Sequence, residues 1–471
     1  MRMVRCALTV LAAVLASCGG GGSSRIAPPV STQPNTAATA APGAAPSAAP
    51  ASAVDDWVTF AHDQARSGLE SAPTGIDRTT VAALARRWTV SLHEPVWASP
   101  IVTGGFVYVA SDAGNVYALD AATGAQRWKT HVGPSVRMTP ALYDGLLFVG
   151  VYGVEGPDGT APTGAAFVAL DPASGAVRWT AQPPGGLGVI RSEPVVLGGV
   201  VYEGVGGGDD LTGCVVGGIM ALDEHSGAPV RGFWTTTALA RNGGGVWSPL
   251  STDGTTIFAG TGNLCTGNES SEYGDAAVAL GTNLGVSWVA HSFDPAGYDE
   301  DVGGGVNVAN ALAYVSAKSG LLYALDRRSG LVIWTHDFTP WTRGGGGIGT
   351  PTGDGTMIIA SGGELMQSDP AGCNVGAFDL NGTPLYTLHA SYVVKGAAAF
   401  VPGVGFLGLD HTLVAFDAHS GATLWSSGDL GADMYASPAV VPSGVYTATF
   451  AGDVLAFSRG AVAPGSRARK R

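Results

Sequence analysis

Short apolar runs separated by glycine-containing turns recur along the chain from about residue 85 to residue 459. In SPIVTGGFVYVAS, which begins at Ser99, a Gly-Gly turn separates two runs of β-branched and aromatic residues, and the run NVYALD follows. Runs of about four to eight residues bounded by such turns are typical of strands rather than helices. The pattern therefore predicts antiparallel strands joined by tight turns.

A longer phrase recurs at the third run of each group. Clear copies are ALDAATGAQRW from Ala118, ALDPASGAVRW from Ala169, ALDRRSGLVIW from Ala324 and AFDAHSGATLW from Ala415, with looser copies from Ala221, Ala279 and Ala377. Each unit therefore contains strands A, B, C and D, and strand D follows a Thr-Gly or Ser-Gly turn and ends in Trp. Repeats of this length with four strands each predict the blades of a β-propeller.

Eight units can be counted, near 97–130, 137–182, 191–236, 246–290, 304–338, 348–389, 395–427 and 435–459. The eighth unit stops after strand C, whereas LARRWTVSL around Trp88 resembles a strand D with no unit before it. Pairing these two segments would remove both exposed edges of an open array. We therefore predict an all-β fold, an eight-bladed β-propeller closed by an N-terminal strand.

Composition agrees with a turn-rich β protein. The chain has 72 Gly and 28 Pro, and charged residues make up 13%, against about 25% in ordinary globular domains. The net charge is −13, and no long basic run occurs before the last few residues. Because the electrostatic footprint of a nucleic-acid-binding protein is missing, we expect small molecules or proteins as partners and no nucleic acid.

The N-terminus has the features of a secretory leader. Residues 1–17 contain Arg2 and Arg5 and then an apolar run, which is too short to span a bilayer. The sequence LASC, ending at Cys18, resembles the bacterial lipobox, which implies a lipid on Cys18. An ordinary cleaved signal peptide or an uncleaved anchor is the alternative. Since Gly19 rather than Asp follows the cysteine, the resemblance favours the outer membrane of the cell envelope, with the protein facing the periplasm.

Three further segments follow the leader. Residues 18–53 are rich in Gly, Ser, Ala and Pro and predict a flexible tether. Residues 54–459 form the predicted propeller, and residues 460–471 form a basic tail predicted to be disordered.

The phrase Ala-x-Asp-x-x-x-Gly-x-x-x-Trp closely resembles the tryptophan-docking repeat of the PQQ-type propellers. The resemblance covers about 85 to 459 and implies the fold. This family includes quinoprotein alcohol dehydrogenases, polyvinyl alcohol dehydrogenases and an outer-membrane assembly lipoprotein that binds no quinone. The repeat therefore leaves the function open, and function has to come from residues that depart from it.

The resemblance implies a site for pyrroloquinoline quinone (PQQ) and Ca²⁺. In GGGVWSPLSTDGTTIFAGTGN of blade 4, Trp247 matches the aromatic floor under the quinone and Asn263 matches a Ca²⁺ ligand. Glu155 in blade 2 matches the Ca²⁺-binding carboxylate. In blade 5, Asp301, with Asp299 nearby, matches the catalytic base and a further metal ligand, and Lys318 matches the cation that reaches the quinone oxygens. The alternatives are a core aromatic for Trp247 and solvated loop residues for the others.

A ring of side chains is expected at one mouth of the central channel. Residues just before strand A of several blades combine aromatic groups with cations: Trp97, Arg137, Arg191, Trp247 and Tyr435, with Lys395 in a related place. PQQ is a tricarboxylate, so these cations are suitable partners for it.

Three cysteines remain after Cys6 and Cys18. Cys214, Cys265 and Cys373 are expected in loops between strands B and C, and an odd number in an oxidising compartment suggests one disulfide, for which we choose Cys214 with Cys265. The pairing of Cys373 stays open. The chain has no vicinal cysteine pair and no CxxCH haem motif, so an enzyme of this kind would need a separate electron acceptor such as a cytochrome c.

Two functions are consistent with these features. The first is a periplasmic, lipid-anchored quinoprotein dehydrogenase that oxidises a small or polymeric alcohol, with Asp301 taking the hydroxyl proton and Ca²⁺ polarising the quinone. The alternative is a non-catalytic propeller lipoprotein that holds a protein partner in outer-membrane assembly.

Overall fold

The computed structural model describes residues 56–154, 163–186, 188–206, 217–236, 244–264, 272–291, 301–318, 320–337, 349–361, 373–391 and 394–459. These residues form eight antiparallel sheets, and besides the strands they contain only the short 3₁₀ turns Val81–Ala83 and Pro184–Gly186. No helix among them is long and apolar enough to cross a membrane. The predicted eight-bladed β-propeller is confirmed.

Each blade has four strands in the order A, B, C, D from the channel outwards. The first four blades contain, in chain order, Ile101–Thr103, Phe106–Ala110, Asn115–Asp120 and Gln126–His131; Ala141–Tyr143, Leu146–Val151, Ala166–Leu170 and Val177–Ala181; Val195–Leu197, Val200–Val205, Gly218–Asp223 and Pro229–Trp234; Ser251–Thr252, Thr256–Gly260, Ala276–Gly281 and Val286–His291. Blades 5 to 7 contain Asn307–Ala309, Leu312–Ser316, Leu321–Asp326 and Val332–Asp337; Thr352–Gly353, Met357–Ser361, Cys373–Asp379 and Pro384–Ala390; Ala399–Val401, Val404–Leu409, Thr412–Asp417 and Thr423–Ser426.

Blade 8 joins the two ends of the ring. Its strands A to C are Ala439–Val441, Gly444–Ala448 and Asp453–Arg459, and its strand D is Leu84–Ser91. Strand D pairs along its length with strand C, from Leu84 opposite Arg459 to Ser91 opposite Asp453. The predicted closure by the strand around Trp88 is confirmed.

The repeat phrase joins neighbouring blades. Trp128 of blade 1 donates its indole N–H to the carbonyl of Pro172 in blade 2 at 2.9 Å, and its ring lies against Gly175. A Cβ at Gly175 would lie 2.6 Å from that ring, and Gly175 has a φ of +72°, so both the turn and the close approach require glycine. Trp88, Trp179, Trp288, Trp334 and Trp425 make the same type of indole hydrogen bond.

Hydrogen bonds also link the starts of neighbouring A strands around the channel. Hydroxyl groups accept backbone N–H groups of the preceding blade in four places: Thr139 from Ser99, Thr350 from Gly305, Ser437 from Ala397 and Ser99 from Ser437. In blade 3 the carboxylate of Glu193 takes this place and accepts the N–H of Thr139 at 3.0 Å. Blade 3 therefore has an ionisable group where four other blades have a hydroxyl.

The segment before the ring, residues 56–70, lies across the A strands of seven blades, and we call it the plug. Asp56–Trp57 pairs with strand A of blade 1. The following residues hydrogen-bond in order to Leu142, Val196, Thr252, Val308, Gly353 and Phe400, which belong to blades 2 to 7. Because these contacts encircle the channel, the plug closes one of its ends.

Candidate functional site

A cavity of about 190 Å³ lies on the propeller axis, and we call it the central pit. Its lining comes from all eight blades and from Phe60 of the plug. The pit is therefore the open part of a channel whose other end the plug closes.

One wall of the pit is aromatic and carries cations. The rings of Trp97 and Tyr435 stack with centroids 4.9 Å apart and an interplanar angle of 16°. Lys395 Nζ lies 4.6 Å from the ring centroid of Tyr435 and 5.3 Å from that of Trp97. Arg137 lies 5.8 Å from the Trp97 ring, and Asp112 accepts a hydrogen bond from its Nε at 2.8 Å. Cations over aromatic faces give this wall affinity for flat anions.

A second cluster surrounds Trp247 in blade 4. Arg191 Cζ lies 4.8 Å and Lys318 Nζ 5.3 Å from the Trp247 ring centroid. Gly262 leaves the space that this arrangement needs, since a Cβ there would lie 3.0 Å from Trp247 Nε1 and 2.9 Å from Asp301 Oδ1. The indole, the carboxylate and two cations thus meet at one place.

Asp301 is held from two sides and is only 4% exposed. Its Oδ1 accepts the backbone N–H of Asn263, and its Oδ2 accepts a hydrogen bond from Lys318 Nζ at 2.8 Å. The backbone N–H of Lys318 also donates to the Asp301 carbonyl at 2.9 Å. These contacts fix the carboxylate beside Trp247.

Charges within the pit influence one another. Loss of hydration lowers the pKa of Arg191, and the Arg137 guanidinium acts in the same direction, whereas Tyr152, Glu193 and Asp301 oppose the shift. Burial raises the pKa of Glu193, against the hydrogen bond from Thr139 and the charges of Arg66 and Arg191. A guanidinium keeps its proton at neutral pH, so the pit is rich in positive charge although the whole chain carries −13.

The structure brings most of the predicted site residues together. The lining includes Trp97, Arg137, Arg191, Trp247, Lys395 and Tyr435, and Lys318 lies over Trp247 beside Asp301 and Asn263. Glu155, Asp299, Cys18, Cys214 and Cys265 lie outside the described residues. Among the described residues there is no group of three or more His, Cys, Asp or Glu side chains able to hold a metal ion.

One prediction from the sequence is wrong, and one feature was missed. Cys373 begins strand C of blade 6 instead of lying in a loop, because strand C there starts earlier than the repeat phrase suggests. The sequence analysis did not predict that the plug closes the channel with Phe60 and Arg66. The available signal was the change from tether composition to DWVTFAHDQARSG, which begins at Asp56.

Comparison with known proteins shows the family to which the chain belongs. The PQQ_2 family model, described as outer membrane protein assembly factor BamB, matches residues 77–209 and 217–463. Polyvinylalcohol dehydrogenase of Pseudomonas sp is 24% identical over 446 residues, which cover 79% of this chain and 67% of that protein.

Two further proteins resemble the chain. The serine/threonine-protein kinase AfsK of Streptomyces griseus is 29% identical over 191 residues, 35% of this chain, and the match spans 21% of the kinase. Among solved structures, the quinohemoprotein alcohol dehydrogenase of Comamonas testosteroni has a TM-score of 0.71 at 19% identity, covering 88% of this chain and 82% of that one. This structural likeness concerns the fold.

Proposed function

We propose that this chain, which belongs to the PQQ_2 family described as outer membrane protein assembly factor BamB, is a quinoprotein dehydrogenase that oxidises an alcohol. The observation that carries this proposal is the meeting of Asp301, Lys318 and Arg191 around the Trp247 ring. The similarity to polyvinylalcohol dehydrogenase over 79% of the chain supports it.

The residues of the pit fit PQQ. A flat tricarboxylate requires an aromatic surface and several cations, and Trp247 with Arg191, Lys318 and Lys395 provides both. When bound, PQQ supplies the two-electron acceptor for the alcohol carbon. Asp301 would accept the hydroxyl proton of the alcohol, and its contacts with Asn263 and Lys318 hold it in place for that transfer.

A Ca²⁺ ion is part of the proposal, with Asn263, Asp301 and Glu155 as oxygen ligands. Asn263 and Asp301 are adjacent in the structure, whereas Glu155 lies outside the described residues. Because Lys318 already pairs with Asp301 Oδ2, a bound metal ion would compete with the ammonium group for this carboxylate.

We also propose that a lipid on Cys18 holds the protein in the cell envelope, facing the periplasm, and that a separate protein such as a cytochrome c takes the electrons. Labelling with a radioactive fatty acid tests the anchor: the parent chain should carry label and Cys18→Ala should carry none. Equal labelling of the two would show that Cys18 is not the lipidation site.

The function is tested with purified protein, PQQ and Ca²⁺. Bound quinone is measured by its absorbance after dialysis, and turnover by reduction of a dye with alcohols. Asp301→Asn should retain quinone but lose about 100-fold or more in turnover, and Trp247→Ala should weaken quinone binding about tenfold. Asp171→Asn, in the exposed turn before strand D of blade 2, is the control and should change neither.

The second candidate is the protein-binding scaffold, which the description of the family favours. A parent protein that retains no quinone with or without Ca²⁺ would overturn the dehydrogenase and leave this function.

A further inference from the structure

Two glutamates and one arginine meet between the plug and blade 3, next to the pit but outside the Trp247 cluster. Glu193 lines the pit, Glu203 lies in strand B of blade 3, and Arg66 belongs to the plug. Neither the fold nor the proposed oxidation explains why three ionisable groups should lie together here.

Arg66 is a fully buried cation whose hydrogen bonds all go to neutral groups. At 0% exposure it donates from Nε to the carbonyl of Leu250, from Nη1 to the hydroxyl of Thr59 and the carbonyls of Phe60 and Asp63, and from Nη2 to the carbonyls of Glu193 and Pro194. Within the described part of the chain it makes no direct ion pair. A buried charge without a nearby counter-charge is strongly unfavourable, so at least one carboxylate near Arg66 must be ionised.

Glu203 is buried as completely. Its side chain is 0% exposed, and neither carboxylate oxygen has a hydrogen-bond partner among the described residues. An ionised carboxylate in that position would have no donor in good hydrogen-bonding geometry, whereas the protonated acid is neutral. Burial raises the pKa of Glu203 well above its ordinary value and the charge of Glu193 raises it further, whereas Arg66 and the backbone N–H of Gly204 act in the opposite direction.

Glu193 is better placed to carry the negative charge. It accepts the N–H of Thr139, it opens onto the pit, and Arg66 and Arg191 are the cations that face it. Ionised Glu193 neutralises Arg66, and an ionised Glu203 would be a second negative charge on a side chain that is 0% exposed to water.

We propose that Glu193 and Glu203 share a single proton beside Arg66 and form a proton-binding site that opens to the central pit through Glu193. The site stores one proton at neutral pH, with Glu203 as its usual holder. An anion entering the pit next to the ionised Glu193 favours protonation of Glu193 as well, so the pair takes up a second proton when such a ligand binds. This site does not depend on the proposed alcohol oxidation.

Infrared spectroscopy of the full chain, with glutamate carboxyl groups labelled with carbon-13, detects the proton directly. At pH 7 the parent should show a carbonyl band of a neutral carboxylic acid that shifts with the label and in D₂O. Glu203→Gln, which keeps the size and neutrality of the protonated side chain, should remove most of this band. Glu94→Gln is the matched control, because Glu94 has its pKa lowered to about 2 and contributes no neutral acid.

Glu193→Gln distinguishes a shared proton from simple burial. Asp63 of the plug is paired with His62, so with Glu193 neutral Glu203 is the carboxylate left to balance Arg66. Glu203 should then ionise, and the band should fall in this variant too. A band that is unchanged in Glu203→Gln overturns the site, and one that is unchanged in Glu193→Gln overturns the sharing. Circular dichroism establishes that each variant is folded, and neither result requires PQQ to bind.

Discussion

At the scale of single residues, Glu94 shows how a carboxylate connects segments of the ring. It follows the closing strand and accepts hydrogen bonds from Ser111 at 2.6 Å, Tyr117 at 2.7 Å, and Asn115 and Lys129 at 3.0 Å, all in blade 1. Burial alone would raise its pKa, but these donors lower the pKa of Glu94 to about 2. The folded protein therefore favours the charged form of Glu94 over the neutral form more strongly than the unfolded chain does.

Glu94→Gln should lower the free energy of unfolding by about 2 kcal/mol at pH 7. Because the folded pKa lies below the ordinary value of 4.5, the contribution is present above that pH and declines as the pH falls towards 2. Urea unfolding of both proteins at neutral and acid pH measures it. A difference that stays constant between the two conditions would contradict the prediction.

The residues of the pit were partly predictable, and the reason is positional. Trp97, Arg137 and Arg191 occupy equivalent positions at the start of successive blades. The repeat alone therefore predicted that they lie in one ring around the channel. Their partners could not be predicted in this way: the contact of Arg137 with Asp112 and of Arg191 with Trp247 depends on side-chain directions set by neighbouring blades. The repeat also shows Glu193 in a hydroxyl position, but not that Arg66 would lie beside it.

At the scale of elements, the plug is held by one buried side chain in addition to its backbone. Arg66 uses its guanidinium to join the plug to carbonyls of blades 3 and 4. The rest of the plug contacts the A strands through its backbone and Gln64. This anchoring explains how a segment with almost no regular strand closes a wide channel.

Arg66→Met should lower the free energy of unfolding by about 3 kcal/mol or more, because it removes the donors from several buried carbonyls. It should also make the plug more accessible to proteases. Arg328→Met, at an exposed position in the turn of blade 5, should leave both properties unchanged. Denaturant unfolding and limited proteolysis measure the two effects, and equal behaviour of the two variants would show that Arg66 does not anchor the plug.

The outer edge of blade 5 is unusual among the edge strands. Leu331, Val332 and Ile333 are 68%, 53% and 56% exposed, whereas the corresponding strands of blades 1 to 3 carry Arg127, Arg178 and Arg231. Charges on an edge strand discourage pairing with another chain. No charge lies among these three residues of blade 5, and the charged residue of its edge strand is Asp337 at the far end.

Ile333→Lys should therefore reduce concentration-dependent self-association of the protein. Val177→Lys is the matched control, since Val177 is 50% exposed in strand D of blade 2 and already stands beside Arg178. Sedimentation at increasing protein concentration measures the effect. If the two variants associate equally, the blade 5 edge is not the surface responsible.

At the scale of the whole molecule, the fold could be predicted from the sequence because the same phrase recurs from blade to blade. The number of blades came from counting the repeat units. The closing strand came from the incomplete eighth unit and the unmatched strand around Trp88. The plug has no internal copy, and its contacts are spread over seven blades, so no periodic signal indicated where it would lie.

The closing strand has a consequence for the way the protein is made. Leu84–Ser91 leaves the ribosome before any blade is complete, while its partner Asp453–Arg459 is the last strand of the ring to be synthesised. Until that partner is synthesised, the early strand has no strand C to pair with. Bringing the two ends of the ring together then has a large cost in loop-closure entropy. The ring thus acts as a test that synthesis has passed its last strand: a chain that stops before Asp453–Arg459 leaves blade 8 open and its edges available to proteases and chaperones.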